Sequence, residues 1–200
     1  MTVPKSHPIA YEAPESPELV PRNLAVGIRL GMATTVFLFL APFFAFMYLG
    51  QLNAGGLWRP HRVAPPMGYG WAIVGTTAAS ALALALANAG APRRRQWKRL
   101  AAASLVLGLA AVVLQCLEYA HLRFGPTSGG YASVFFVWTL LMGLTVLGTM
   151  IWLETLVAYA VRYRDAPAEA VWPRLSALAQ YCRFLAFLAV LMWLLLYLVK

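Results

Sequence analysis

The sequence predicts an all-α integral membrane protein, a bundle of five transmembrane helices with the N terminus inside and the C terminus outside. Three observations carry this reading. Of 200 residues, 61% are hydrophobic and 12% are charged, whereas soluble domains carry about 25% charge. Several apolar runs exceed the ~18 residues that suggest a membrane span. The basic residues, which give a net charge of +9, gather at the ends of those runs, where they orient a membrane protein. The same placement argues against nucleic acid as a partner, despite the charge.

Residues 1–23 read as a polar cytoplasmic tail, with five prolines, three glutamates and no apolar core. A cleavable signal peptide would need a basic start and then an apolar segment. The composition suits a tail that orders only against a partner. The bundle is expected over 24–200. Span one, about 24–49, contains Pro42 as an expected kink. Span two, about 68–89, contains Ala81-Leu-Ala-Leu-Ala-Leu-Ala87. That run alternates like a strand, but alanine and leucine are strong helix formers inside a membrane-length segment. Its small side chains let another helix approach closely. Spans three, four and five are expected at about 97–121, 130–161 and 175–199.

Span four is 32 residues long, about 48 Å at ~1.5 Å per residue. That exceeds the ~30 Å hydrocarbon core, so the helix must tilt or project. Five spans place eleven basic residues on one side, from Lys5 to Arg174, and four on the other: Arg59, Arg62, Arg123 and Lys200. The excess sets the N-terminal side as cytoplasmic. No internal repeat is evident.

The histidines, His7, His61 and His121, all lie outside the depth that a bundle haem would need. Cys116 and Cys182 differ too much in depth for a disulfide, and no ligand cluster suits zinc or copper. No phosphate loop, nucleophile elbow or metalloprotease helix motif occurs. The chain is expected to catalyse nothing alone.

Ionisable residues inside spans usually face the bundle interior. Glu118 shares a helix face with Gln115 and Tyr119, with His121 three residues on. The group is either a proton-handling or partner-binding site, or a buried polar network that ties span three to its neighbours. Glu154 and Arg183 approach the inner side on spans four and five, each about 10–12 Å deep by helical rise. They are expected to pair, directly or through one water; the bland alternative is that Arg183 snorkels to lipid phosphate.

Leu114-Gln-Cys-Leu-Glu-Tyr-Ala-His-Leu122 resembles the Leu-Gln-x-x-Glu-Tyr signature of subunit III of haem-copper terminal oxidases. Ser128-Gly-Gly-Tyr-Ala-Ser-Val-Phe-Phe136 is similar to that family's entry to its long helix. Trp138-Thr-Leu-Leu-Met-Gly-Leu-Thr-Val146 resembles its Thr-Gly-x-His-Gly-x-His-Val. Leu30-Gly-Met32 with Phe43-Phe-Ala-Phe-Met-Tyr48, then Trp58-Arg-Pro60, Pro65-Pro66 and Tyr181-Cys-Arg-Phe184 follow in the family's order. The resemblance runs from about residue 24 to 199 and suits the shorter, five-helix bacterial form. The sequence departs from it at Met142 and Thr145, where the family has paired histidines. It departs again at Arg183, the place of a histidine, at Ala186, the place of an aspartate, and in span one, which lacks an acid. Glu118 keeps the family glutamate.

The resemblance implies an accessory subunit of a proton-pumping oxidase in a bacterial cytoplasmic (inner) membrane. It implies packing against the catalytic haem-copper subunit I and other oxidase subunits. Haem and copper would belong to those partners, and phospholipid would bind this chain in a cleft between helices. A cytochrome c oxidase is the first reading, with a quinol oxidase or nitric oxide reductase as variants. Two unrelated readings compete. One is a small transporter or channel lined by Glu118, Glu154 and Arg183; the other is an assembly scaffold.

Overall fold

The computed structural model describes residues 19–56, 58–60, 63–90, 96–162 and 168–198. Among these residues every regular element is helical. The helices are α1 (Leu19–Leu52), α2 (Met67–Gly90), α3 (Trp97–His121), α4 (Gly130–Arg162) and α5 (Ala168–Trp193). A π-helical turn, Leu194–Leu198, continues α5, and a 3₁₀ turn, Ala54–Gly56, follows α1. Five helices are long and apolar enough to cross a membrane. His7 and His61, most of the expected tail, and the arginines at 93–95 lie outside the described residues.

Two helices start earlier than the hydropathy suggested. α1 begins at Leu19 rather than near 24, and α5 at Ala168 rather than near 175. Hydropathy marks the hydrocarbon-facing run, while a helix continues into the interface as long as its backbone stays bonded. Packing holds the extension of α5, because Val171 and Leu175 are buried. Its Pro173 is the sixth residue of the helix.

α2, α3, α4 and α5 form a closed ring in which each helix packs on the next and α5 returns to α2. α1 lies outside the ring against α4 and α5. The Ala-Leu run is helical, as expected, with Ala81, Leu84 and Ala87 buried and Leu82 and Leu86 exposed. Small side chains set the close α2–α3 approach, where the Ser80 hydroxyl donates to the Ser104 carbonyl at 2.7 Å. At the N-terminal end of α3, the Lys98 ammonium donates to the Ala160 carbonyl at 2.6 Å. This satisfies one of the carbonyls that the end of α4 leaves open.

α4 has 33 residues, or about 50 Å, and is longer than a bilayer needs. Its first turn is wrapped by the α1–α2 connection. The Tyr131 amide donates to the Trp58 carbonyl at 2.9 Å. The Trp58 ring stands edge-on to Phe46 and Tyr131, and the Arg59 guanidinium lies 4.4 Å from the Tyr131 ring centre. Gly55 and Gly56, at φ 64° and 74°, turn the chain back towards this contact.

Gly108 is the tightest point between α3 and α4: a Cβ there would overlap the Met150 thioether. Gly108→Val should therefore cost about 1–3 kcal/mol by overpacking. The check is thermal unfolding in detergent, and Met150→Ala in the same chain should recover part of the loss.

Candidate functional site

The C-terminal end of α3 carries the signature segment, and the fold closes over it. Glu118 is fully buried and Gln115 nearly so. The Gln115 amide donates to one Glu118 carboxyl oxygen at 2.8 Å. The Tyr197 hydroxyl, from the π turn of α5, lies 2.5 Å from the other. Among the described residues no cation pairs with this carboxyl group. Its polar partners are the two donors, one from its own helix and one from α5.

The π turn makes this reach possible. A five-residue register widens the helix and changes which carbonyls are left open. The Tyr131 hydroxyl of α4 donates to the Leu196 carbonyl within that turn. Tyr197 then lies over Gly70 of α2, where a Cβ would stand 2.6 Å from its ring and 2.8 Å from the Trp193 indole nitrogen. Gly70 therefore admits both rings and lets Tyr197 meet Glu118.

The four residues expected together on α3 separate into three local arrangements. Gln115 and Glu118 bond to each other. Tyr119 turns to α4, its hydroxyl 2.7 Å from that of Thr139. His121 is exposed. Its Nδ1–H donates to the Leu117 carbonyl at 2.7 Å and lies 3.2 Å from the Tyr69 hydroxyl. The imidazole stacks on the Tyr69 ring with centres 5.5 Å apart. Tyr197 and Gly70 belong to the site but carried no sequence signal, and Tyr131 carried one only as part of the Ser128–Phe136 motif. A tyrosine near a span end reads as an interface anchor, and a glycine in a small-residue helix reads as packing.

Glu154 and Arg183 carry the expectation of a pair, direct or through one water. Both side chains are exposed, and among the described residues no ion pair joins them. Glu154 shares the exposed face of α4 with Leu140, Leu144 and Ile151. Val146 and Met150, on another face, sit beside Cys182 and Leu185 of α5. Helical rise gave a depth for each residue but no direction around the helix. The earlier start of α5 also places Arg183 deeper than the sequence bounds implied.

A seam between α1 and α5, floored by α4, holds two hollows. One, of about 490 Å³, has Asn23, Gly27, Trp152 and Arg174 in its walls. The other, of about 590 Å³, is almost wholly apolar and is walled by residues such as Phe39, Phe43, Trp138 and Phe187. Tyr181 borders the first hollow, and its hydroxyl lies 2.7 Å from that of Thr35. Among the described residues no group of three or more His, Cys, Asp and Glu side chains could hold a metal ion.

The sequence pattern of cytochrome c oxidase subunit III matches residues 12–200. The chain belongs to the cytochrome c oxidase subunit III family. It is similar to cytochrome c oxidase subunit 3 of Ornithorhynchus anatinus, 27% identical over 78% of this chain and 64% of that protein. The Cyprinus carpio subunit is 30% identical over 64% of this chain and 52% of its own length. The cytochrome bo(3) ubiquinol oxidase subunit 3 of Buchnera aphidicola subsp. Baizongia pistaciae is 31% identical over 41% of this chain and 43% of that protein. The chain thus spans 64% or less of the length of each of these relatives. The family's glutamate is the one sealed against Tyr197 and Gln115. Its paired-histidine positions hold a buried Met142 and a Thr145 whose hydroxyl bonds back to its own helix at 2.9–3.0 Å.

Glu118→Leu should strand the Tyr197 hydroxyl and the Gln115 amide, at about 1–3 kcal/mol for each group left unsatisfied. Glu118→Gln keeps the shape and an acceptor and should cost clearly less. Gly70→Ala should destabilise like Glu118→Leu, by displacing Tyr197. Thermal unfolding of the three purified variants in one detergent checks this order.

Proposed function

We propose that this chain is a non-catalytic accessory subunit, the subunit III, of a proton-pumping haem-copper terminal oxidase of aerobic respiration. It packs against the catalytic subunit in a bacterial cytoplasmic membrane and stabilises it. The family match over nearly the whole described bundle supports this reading. The buried polar groups add to it. Glu118 is bonded across helices to Tyr197 and Tyr119 to Thr139, so they act as ties rather than as a proton path. A sealed carboxyl group cannot exchange protons with water unless the bundle opens. Haem and copper belong to partner subunits in this reading.

Phospholipid binding belongs to the same proposal. The apolar hollow suits acyl chains, and Arg174 at the other hollow suits a phosphate. The basic-residue excess supports a cytoplasmic N terminus. The relationship to a ubiquinol oxidase subunit supports a second reading, in which quinol supplies the electrons.

Purification from native membranes in mild detergent tests the assignment. The expected result is co-purification with a large haem-bearing chain, seen as haem absorbance in the fraction that holds this protein. That fraction should consume oxygen with reduced cytochrome c; quinol as the effective donor would select the second reading. A haem-free preparation of this chain alone would sink both. For orientation, alkaline phosphatase fused after Lys200 should be active and the same fusion in the α2–α3 connection inactive.

A further inference from the structure

Arg183 lies at mid-membrane and points out of the bundle. Its neighbour Cys182 borders a small void with Ser80, Gly108, Val146 and Met150, which lie near the middles of α2, α3 and α4. Tyr181 bonds Thr35, near the middle of α1. All four other helices therefore place this part of α5 at the centre of the bilayer. Arg183 is exposed there, Gln180 one turn before it is exposed, and Phe187 one turn after it is 61% exposed. Among the described residues Arg183 has no hydrogen-bond or ion-pair partner.

A guanidinium facing hydrocarbon is costly, and such groups in membrane helices pair with other groups or line water. Lipid phosphate is about half of the ~30 Å core away, farther than an arginine side chain extends. A lipid headgroup therefore does not serve Arg183. A carboxylate does, because the planar guanidinium offers it two parallel N–H donors. Among the described residues none is at hand: Glu118 is sealed, and Glu154 is on the outward face of α4.

We propose that the α5 face bearing Gln180, Arg183 and Phe187 docks a transmembrane helix of a neighbouring oxidase subunit, which presents an acidic side chain to Arg183 at mid-membrane. The inference rests on the accessory-subunit reading and adds to it the contact face and the partner's chemistry. A second copy of this chain fits less well. Glu154 and Arg183 belong to different outward faces, so pairing between copies would be head-to-tail rather than a closed two-fold.

The test uses the complex purified from membranes through a tag on this chain. Arg183→Leu should lower recovery of the haem-bearing partner by about tenfold or more, with Arg183→Lys intermediate. The isolated Arg183→Leu chain should unfold at or above the wild-type temperature, which separates lost docking from lost folding. A photocrosslinker, Phe187→p-benzoylphenylalanine, should join the chain in membranes to a different protein, at a helix containing Asp or Glu. The same probe at Leu144 on α4 is the control face. Wild-type complex that survives Arg183→Leu undiminished overturns this inference alone. Crosslinks solely to lipid or to a second copy overturn it as well. A wild-type chain that purifies without any partner overturns the accessory-subunit reading and this inference with it.

Discussion

In hydrocarbon every polar group must find its partner within protein, and the end of the bundle that holds Glu118 is built around that constraint. Glu118 is the most demanding group, a carboxyl with no cation beside it. Meeting it requires a donor from another helix, and only the widened last turn of α5 brings Tyr197 there. The same turn offers the Leu196 carbonyl to Tyr131 of α4. Three helices are thus fixed at one level by hydrogen bonds rather than by apolar packing, which distinguishes poorly between contact with protein and contact with lipid. The glycine at position 70 is a consequence: α2 must recede for the rings of Trp193 and Tyr197 to lie flat against it.

The rest of the molecule divides into a tied ring and a looser flank. Within the ring, Ser80 bonds Ser104, and Lys98 closes the end of α4. Along α1, a hydroxyl pair, Thr35 with Tyr181, ties the helix to α5 between two hollows.

Much of this could be read before any coordinates. Five apolar runs separated by charged or turn-rich segments set the number and order of helices, because a span must be long and apolar wherever it packs. Glu118 stood out for the same reason, as an acid within such a run, and its link to Gln115 followed from helical spacing. Tyr197 did not stand out, because its contact depends on a π register that no residue pattern announces. Gly70 was hidden for a similar reason: its role depends on which rings lie against it.

Glu154 and Arg183 mark the boundary between the two kinds of information. Hydropathy and helical rise fix how far along a helix a residue lies, so the sequence by itself determined the spans, their order and the family. Direction around the helix depends on how neighbours pack. On an outer surface destined for lipid or another subunit, apolar residues all round the helix leave that direction unmarked. Only the tertiary structure turned Arg183 outward, level with the middles of the other helices. The same packing turned Glu154 to another face and sealed Glu118 within.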